Sequence, residues 1–413
     1  MTITGINPFI RGRKIDAFFL LPMNKLAGKR VAIDASGWMY ANMSTARKAV
    51  VNRSDIALKR PDDDEITLEW LSAAINFIIK WLSFGITPVF VFDGNNNPLK
   101  AATKAKRRED GQKKRAKIDD LYAQLATQSI LEQSPTLIGD LKQALLDDNH
   151  ITGDQFRQFE IFIKSLGIPA VLAEGDAERL CCMLARDGKV AAVYSEDTDN
   201  YAHACPLLLT GYSGKYIKKD GFSTPQFECV RTDVIRRDLG FTENEFIDFC
   251  IMLGCDYNSN IPKIGPARSF ELMSQYRNID SLPAMYKKIP LDREILNHEG
   301  ARDLFKYKPY QEVMVVNEKW SDRLVVSCEV LQEARDYLDS IRLGTFLMRL
   351  YNLMGNMPLD TMESQLMKEY CDADIKKPKI VITAVESSKC DGASLDQLLQ
   401  NLGITDSVPL ILN

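Results

Sequence analysis

The chain predicts an α/β protein: a mostly parallel twisted sheet flanked by helices, interrupted by one helical insertion. Three observations carry this. Short, continuous apolar runs rich in Val, Ile and Phe stand at Arg30–Ile33, Pro88–Phe92, Ile168–Leu172 and Val190–Tyr194, with a weaker one at Pro206–Leu209. Runs of that kind suit strands buried on both faces. Helical periodicity fills the intervals at Leu68–Phe84, Asp154–Leu166, Ala177–Ala185 and Glu243–Leu253, and strands alternating with helices build a parallel sheet covered on both sides. Finally, Gly85-Ile86-Thr87-Pro88 and Gly167-Ile168-Pro169 mark handovers from helix to strand. Gly suits the position after a helix, and Pro cannot continue one.

The stretch 100–150 breaks this alternation. It is basic first, then mixed helical, with a loop at Ser134-Pro135, and reads as a helical insertion over the sheet. Another helical region follows Asp256. Beyond about Tyr310 the pattern weakens, and the tail holds one strand-like run, Lys379–Ala384. The organisation is therefore an N-terminal α/β region over 1–99, a helical insertion over 100–153, a second α/β region over 154–310, and a C-terminal extension over 311–413.

A chain of 413 residues fits one large domain plus an appended element. Its 45% apolar and 26% charged composition is that of an ordinary globular protein. No apolar run approaches the ~20 residues of a membrane span, so no membrane partner is expected. The start, Met1-Thr2-Ile3-Thr4-Gly5, has no basic region followed by an apolar core, so we expect an intracellular protein of nucleus or cytoplasm. Nine cysteines form no Cys-x-x-Cys pair, and only Cys181 and Cys182 are adjacent. With His150, His203 and His298 far apart, this opposes both a disulfide framework and a zinc site.

The net charge is −4, which by itself argues weakly against nucleic acid. The distribution says more. Between Lys100 and Lys117 the positive residues are Lys100, Lys104, Lys106, Arg107, Arg108, Lys113, Lys114, Arg115 and Lys117, against Glu109 and Asp110 alone. Such a run is either a solvated face or a phosphate-binding one. It also fits a nuclear localisation cluster, although an insertion that grips nucleic acid explains it equally well.

The acids fall where the strands end. Asp34 follows Arg30–Ile33, and Asp93 follows Pro88–Phe92. Glu174 and Asp176 come after Ile168–Leu172, and Glu196, Asp197 and Asp199 after Val190–Tyr194. An Asp after a strand is by default a turn former or helix cap. In a parallel sheet, however, the carboxyl ends of the strands share one edge, where ligands bind. Carboxylates gathered there repel one another unless cations neutralise them, and all-oxygen ligand sets suit Mg²⁺ or Mn²⁺. Two such ions about 4 Å apart serve an in-line phosphoryl displacement.

These residues stand in an order that resembles the flap endonuclease/XPG superfamily of structure-specific 5′-nucleases, from residue 1 to about 275. The stretches carrying the likeness are Ile3-Thr4-Gly5-Ile6; Gly28 through Ala35; Gly85 through Gly94; Pro98-Leu99-Lys100 with Lys106-Arg107-Arg108; Asp176-Ala177-Glu178; Ser195-Glu196-Asp197-Thr198-Asp199; and Leu253-Gly254-Cys255-Asp256-Tyr257 leading to Ile264-Gly265-Pro266. The resemblance implies a PIN-like nuclease core, a helical arch over 100–153 and a helix-two-turn-helix near 256–280. It implies Asp34, Asp93, Asp176 and Glu178 as ligands of one metal, and Asp197, Asp199 and Asp256 as ligands of the second, with Glu178 between the ions and Glu174 a bystander. Most family members carry Glu at the position of Asp176.

Lys100 and Arg107 resemble the basic pair of the gateway helix at the scissile phosphate, with a solvated basic face as the alternative. Lys104 and Arg108 extend that basic face as DNA contacts. Tyr40 matches an aromatic that stacks on a base beside the cut; a core aromatic on the first helix is the other reading. Asn260–Arg268 resembles the hairpin that grips duplex backbone, with Lys263, Gly265 and Arg268 as contacts and K⁺ as a bridging ion. The chain departs from the family at Lys263, where Gly is usual, and at Thr2, also usually Gly. No clamp-binding box is visible, Gln397–Leu402 being similar only in its apolarity, so a sliding clamp is not supported.

The expected activity is two-metal hydrolysis of DNA phosphodiesters at 5′ flaps and branched junctions in replication or repair, by a monomer. Asn95-Asn96-Asn97-Pro98-Leu99-Lys100 looks like the flap endonuclease branch, whereas Trp38 and Cys255 resemble the 5′-3′ exonuclease branch acting on nicked or gapped duplex. A non-catalytic DNA-binding module with this fold is the reading from another class. The complete set of seven carboxylates opposes it. RNA as substrate stays open.

Overall fold

A computed structural model describes residues 3–307, except 58, 95–97, 129–133 and 220–221, together with 314–315. Lys379–Ala384, Gln397–Leu402 and Thr2 lie outside the described residues, as does nearly all of the expected extension 311–413.

The strands are β1 (Phe18–Pro22), β2 (Arg30–Asp34), β3 (Thr87–Phe92), β4 (Ala170–Leu172), β5 (Ala192–Tyr194), β6 (Leu208–Lys219), β7 (Phe222–Val230), β8 (Met285–Tyr286), β9 (Ile289–Pro290) and β10 (Met314–Val315). All but β8 and β9, which pair with each other, form one sheet in the order β1-β7-β6-β5-β2-β3-β4-β10. The centre, β6-β5-β2-β3-β4, is parallel throughout. Antiparallel strands close both sides: β7 and β1 on one, β10 on the other.

The helices are α1 (Ile6–Gly12), α2 (Ala35–Arg53), α3 (Asp63–Ser83), α4 (Ala101–Ala126), α5 (Pro135–Asp147), α6 (Gly153–Ser165), α7 (Ala177–Arg186), α8 (Asp199–Ala202), α9 (Thr232–Asp238), α10 (Glu243–Leu253), α11 (Pro266–Tyr276) and α12 (His298–Phe305). None among the described residues is long and apolar enough to cross a membrane.

Strand alternation divides the core into two layers. Val31, Ile33, Phe90 and Phe92 join the layer under α2, α3 and α6, where Trp38, Trp70 and Phe159 stack. Ala32, Val89 and Val91 join the opposite layer, under α1, α7 and α10 to α12. Both faces of β2 and β3 are therefore apolar, which is why the runs read as continuous. The edge strands differ. β1 and β7 were not expected, and β6 runs well past the weak strand read at Pro206–Leu209, because Gly211, Ser213, Gly214 and Lys215 interrupt its apolar character. The strands expected at Ile168–Leu172 and Val190–Tyr194 are shorter, since Ile168 and Val190 belong to the preceding turns.

The insertion is helical as expected and has a core of its own. Ile118, Leu121 and Leu125 of α4 pack with Leu141, Ala144 and Leu145 of α5, and the cluster is seated on Val51 of α2 and Ile56 just beyond it. Only the second half of α4 takes part. The first half leaves Lys104, Lys106, Arg107 and Arg108 exposed, beside the carboxyl ends of the central strands.

Candidate active site

Register places the acids together. Asp34 ends β2 opposite Val91, two residues before Asp93. Leu172 ends β4 opposite Phe92, and Tyr194 ends β5 opposite Ile33. The four segments that follow these strands leave the sheet at one edge.

Asp34 is the N-cap of α2. Its Oδ1 accepts from the Gly37 N–H at 3.1 Å, and its Oδ2 accepts from the Ser195 hydroxyl at 3.2 Å. A Cβ at Gly37 would lie 2.7 Å from Asp34 Oδ2, so a side chain there would push the carboxylate away. Asp93 accepts from the Ser36 hydroxyl at 2.5 Å and from the Ala177 N–H at 2.8 Å. Asp93 thus satisfies the first amide of α7 from a neighbouring strand. Gly94 allows that crossing, because a Cβ there would meet the Ala173 carbonyl at 1.7 Å.

Asp176 is the N-cap residue of α7, yet its side chain makes no cap hydrogen bond. It turns instead to Lys100, whose Nζ lies 2.9 Å from Asp176 Oδ1 and 2.6 Å from Glu178 Oε1. Ligand oxygens of Asp93, Asp176 and Glu178 all lie within 4.8 Å of one another. Glu174 and Glu196 are exposed, which places Asp176, not Glu174, in the cluster.

The second set is looser. The Asp197 carboxylate accepts from the Asp199 N–H at 3.0 Å. Asp256 faces Arg107, whose Nη2 is 2.9 Å from Oδ2 and 3.2 Å from Oδ1, and the Thr103 hydroxyl donates to the Asp256 carbonyl at 3.2 Å. Asp199 is 0% exposed, and neither of its carboxylate oxygens has a hydrogen-bond partner among the described residues.

The electrostatics record this crowding. Burial, then Asp93, pushes the Asp34 carboxyl up to about 7. Burial raises Glu178 to about 8 against the pull of Lys100, with Asp34, Asp176 and Asp93 adding to the rise. Asp197 is raised mainly by burial, and Asp199 goes well above the carboxylate range through burial, Asp197 and Asp256. Burial works against the Lys100 ammonium, but Glu178 and Asp176 outweigh it and raise its pKa. A buried carboxylate without donors is costly unless a cation meets it. The all-oxygen donor set and the orphaned Asp199 therefore fit divalent ions of the Mg²⁺ or Mn²⁺ type.

Of the other expected residues, Tyr40 is 48% exposed on α2, so the core-aromatic reading is wrong for it. Lys104 and Arg108 are exposed on α4. Lys263 and Gly265 belong to a separate turn between α10 and α11, and Arg268 to the first turn of α11. Lys263 holds φ at +67°, the left-handed region that suits glycine. The turn therefore survives the substitution, and Arg268 Nη1 donates to the Lys263 carbonyl at 2.6 Å. Gly265 has an ordinary φ of −97°, and a Cβ there would meet nothing within 4 Å. Sequence reasoning assigned no role to Ser36, Ser195 or Tyr257. For Ser36 and Ser195 the available signal was a hydroxyl two residues from a strand-end acid, whereas Tyr257 follows an acid placed after α10.

Comparison with known proteins agrees with the geometry. The XPG N-terminal domain model matches residues 1–114, and the XPG I-region model matches residues 167–256. Flap endonuclease 1-2 of Paramecium tetraurelia is 30% identical over 321 residues, covering 76% of this chain and 76% of that protein. The structure of flap endonuclease-1 from Methanococcus jannaschii shares the fold at a TM-score of 0.52 with 22% identity, over 82% of this chain and 96% of that one. The catalytic core of Rad2 in complex with DNA substrate does so at 0.53 with 19% identity, over 84% and 99%. With strand-end acids, basic insertion and both matched regions in agreement, the chain belongs to the flap endonuclease/XPG superfamily of metal-dependent nucleases.

Proposed function

We propose that this nuclease hydrolyses a DNA phosphodiester at the base of a 5′ flap, with Mg²⁺ at two sites. The observation that carries the reading is Asp199, a fully buried carboxylate with neither oxygen satisfied, inside a seven-acid cluster beneath a basic helix. Asp34, Asp93, Asp176 and Glu178 would hold one ion, and Asp197, Asp199 and Asp256 the other. When bound, the ions supply water activation and offset charge on the attacking and leaving oxygens.

The chain's own part is placement. Asp34 and Asp93 are held rigid by α2 and α7, so the acids do not reorganise as charge develops. Lys100 sits over the acids with its ammonium already desolvated, and would hold a phosphoryl oxygen. Arg107 lies seven residues further, about two helical turns along the same face. The exposed Tyr40 offers a stacking surface, a contact of ~1–3 kcal/mol per base. Lys263 on its separate turn and Arg268 at the start of α11 would hold duplex backbone.

The test is cleavage of three end-labelled DNAs: a free 5′ flap, a nicked duplex and a blocked 5′ flap, each with Mg²⁺ and with EDTA. Cutting at the base of the free flap, lost with EDTA, is expected. One-nucleotide products from the nick alone would move the chain to the exonuclease branch, and no cutting at all would overturn catalysis.

A further inference from the structure

We infer that Tyr257 is the positioning residue that keeps the Asp176 carboxylate turned toward its metal and away from the helix it begins. The inference rests on the metal-site reading above.

Asp256 and Tyr257 occupy the centre of a tight turn after α10. The Asn258 side chain closes it, accepting from the Cys255 N–H at 3.2 Å and donating to the Ile251 carbonyl at 2.8 Å. The backbone bridge between Cys255 and Asn258 completes the closure. The two central side chains reach different halves of the site. Asp256 meets Arg107. The Tyr257 hydroxyl donates to Asp176 Oδ2 at 2.9 Å and stands 3.5 Å from Glu178 Oε1. One dipeptide therefore joins the two groups of acids.

The ring cannot wander. Tyr257 is 4% exposed, the Phe305 ring packs edge-on at 5.3 Å, and the Lys100 ammonium lies 5.1 Å from the ring centroid.

The need for that donor follows from where Asp176 stands. An Asp at an N-cap ordinarily turns its carboxylate onto the amides of its own first turn. Here Asp93 takes the Ala177 amide, and the Asp176 side chain makes no cap bond. Lys100 holds one of its oxygens and Tyr257 the other. If Lys100 turns to a phosphate during catalysis, Tyr257 still holds Asp176 in place. Donors that orient metal-binding carboxylates typically change metal affinity by about 10–100-fold when removed.

The experiment is Mn²⁺ binding to the full chain without DNA, followed by calorimetry or by the electron paramagnetic resonance of free Mn²⁺. Wild type, Tyr257→Phe, Asp176→Asn and the double variant are compared, with thermal melts of each metal-free protein. Tyr257→Phe preserves the ring packing and is expected to weaken Mn²⁺ binding by about tenfold or more with the metal-free melt little changed. Its effect should vanish in the Asp176→Asn background, since a residue acting through Asp176 is non-additive with its loss. Unchanged Mn²⁺ affinity in Tyr257→Phe, or full additivity with Asp176→Asn, would overturn the inference while leaving the metal site standing. Absence of Mn²⁺ binding by the wild type would instead overturn the metal-site reading, and this inference with it.

Discussion

The two groups of acids are held in opposite ways. Asp34, Asp93, Asp176 and Glu178 are tied by donors from five parts of the chain: the hydroxyls of Ser36, Ser195 and Tyr257, the amides of Gly37 and Ala177, and the Lys100 ammonium. Asp199 has no donor on either carboxylate oxygen, and Asp256 meets a guanidinium whose side chain is 50% exposed. The first group is built into the fold through helix caps and strand ends. In the second, Asp199 has no donor among the described residues, which suits a site completed by a cation. Preorganisation and unmet charge are thus separate properties, divided here between neighbouring halves of one site.

Substitutions can break that contrast. The largest effect should come from Asp199→Asn, which removes a metal ligand and is expected to lower single-turnover cleavage by about 10³-fold or more. The metal-free melting temperature should hold or rise by on the order of 2 °C, because the buried Asp199 carboxyl forfeits no hydrogen bond when it is replaced. Asp34→Ala should be comparably inactive but melt lower, since it takes away a helix cap worth about 1 kcal/mol. Equal shifts in the two melts would erase the distinction drawn between the groups.

Lys100→Ala should slow the chemical step by about 10²-fold, the scale of a lost charge-stabilising donor. DNA affinity measured by fluorescence anisotropy should change little. Arg107→Ala should cost less, about tenfold, because its guanidinium is half exposed and more screened. A larger loss for Arg107 than for Lys100 would reverse the assigned order.

The smallest effect sharpens the separate turn. Lys263→Gly relieves a left-handed lysine and should stabilise the protein by about 0.5–1 kcal/mol in thermal or denaturant unfolding. It should also weaken duplex binding and flatten its salt dependence by about one unit of slope. An unchanged slope would remove Lys263 from the DNA-binding surface.

Much of this was legible because β2 and β3 are buried on both faces, so Arg30–Asp34 and Thr87–Phe92 carry unbroken apolar character ending in acid. The long β6–β7 hairpin was not, since Gly211, Gly214 and Lys215 interrupt β6 while its backbone pairing continues through register shifts. Helix α2 escaped the periodicity reading for a related reason: its buried face mixes Ala35, Met39, Met43 and Ala46 with Arg47. Within the site, acids announce themselves by standing at strand ends. Tyr257 does not, because its role depends on a turn that brings it across to Asp176, 81 positions away in sequence.

We propose that the clustered acids cut a 5′ flap through cations held at Asp199 and its neighbours. The most direct test is single-turnover cleavage of an end-labelled 5′ flap by wild type and Asp199→Asn across a Mg²⁺ titration. Wild type is expected to give a Mg²⁺-dependent product at the flap base, and the variant a rate lower by about 10³-fold that added Mg²⁺ does not restore. Cleavage by Asp199→Asn at the wild-type rate would contradict it.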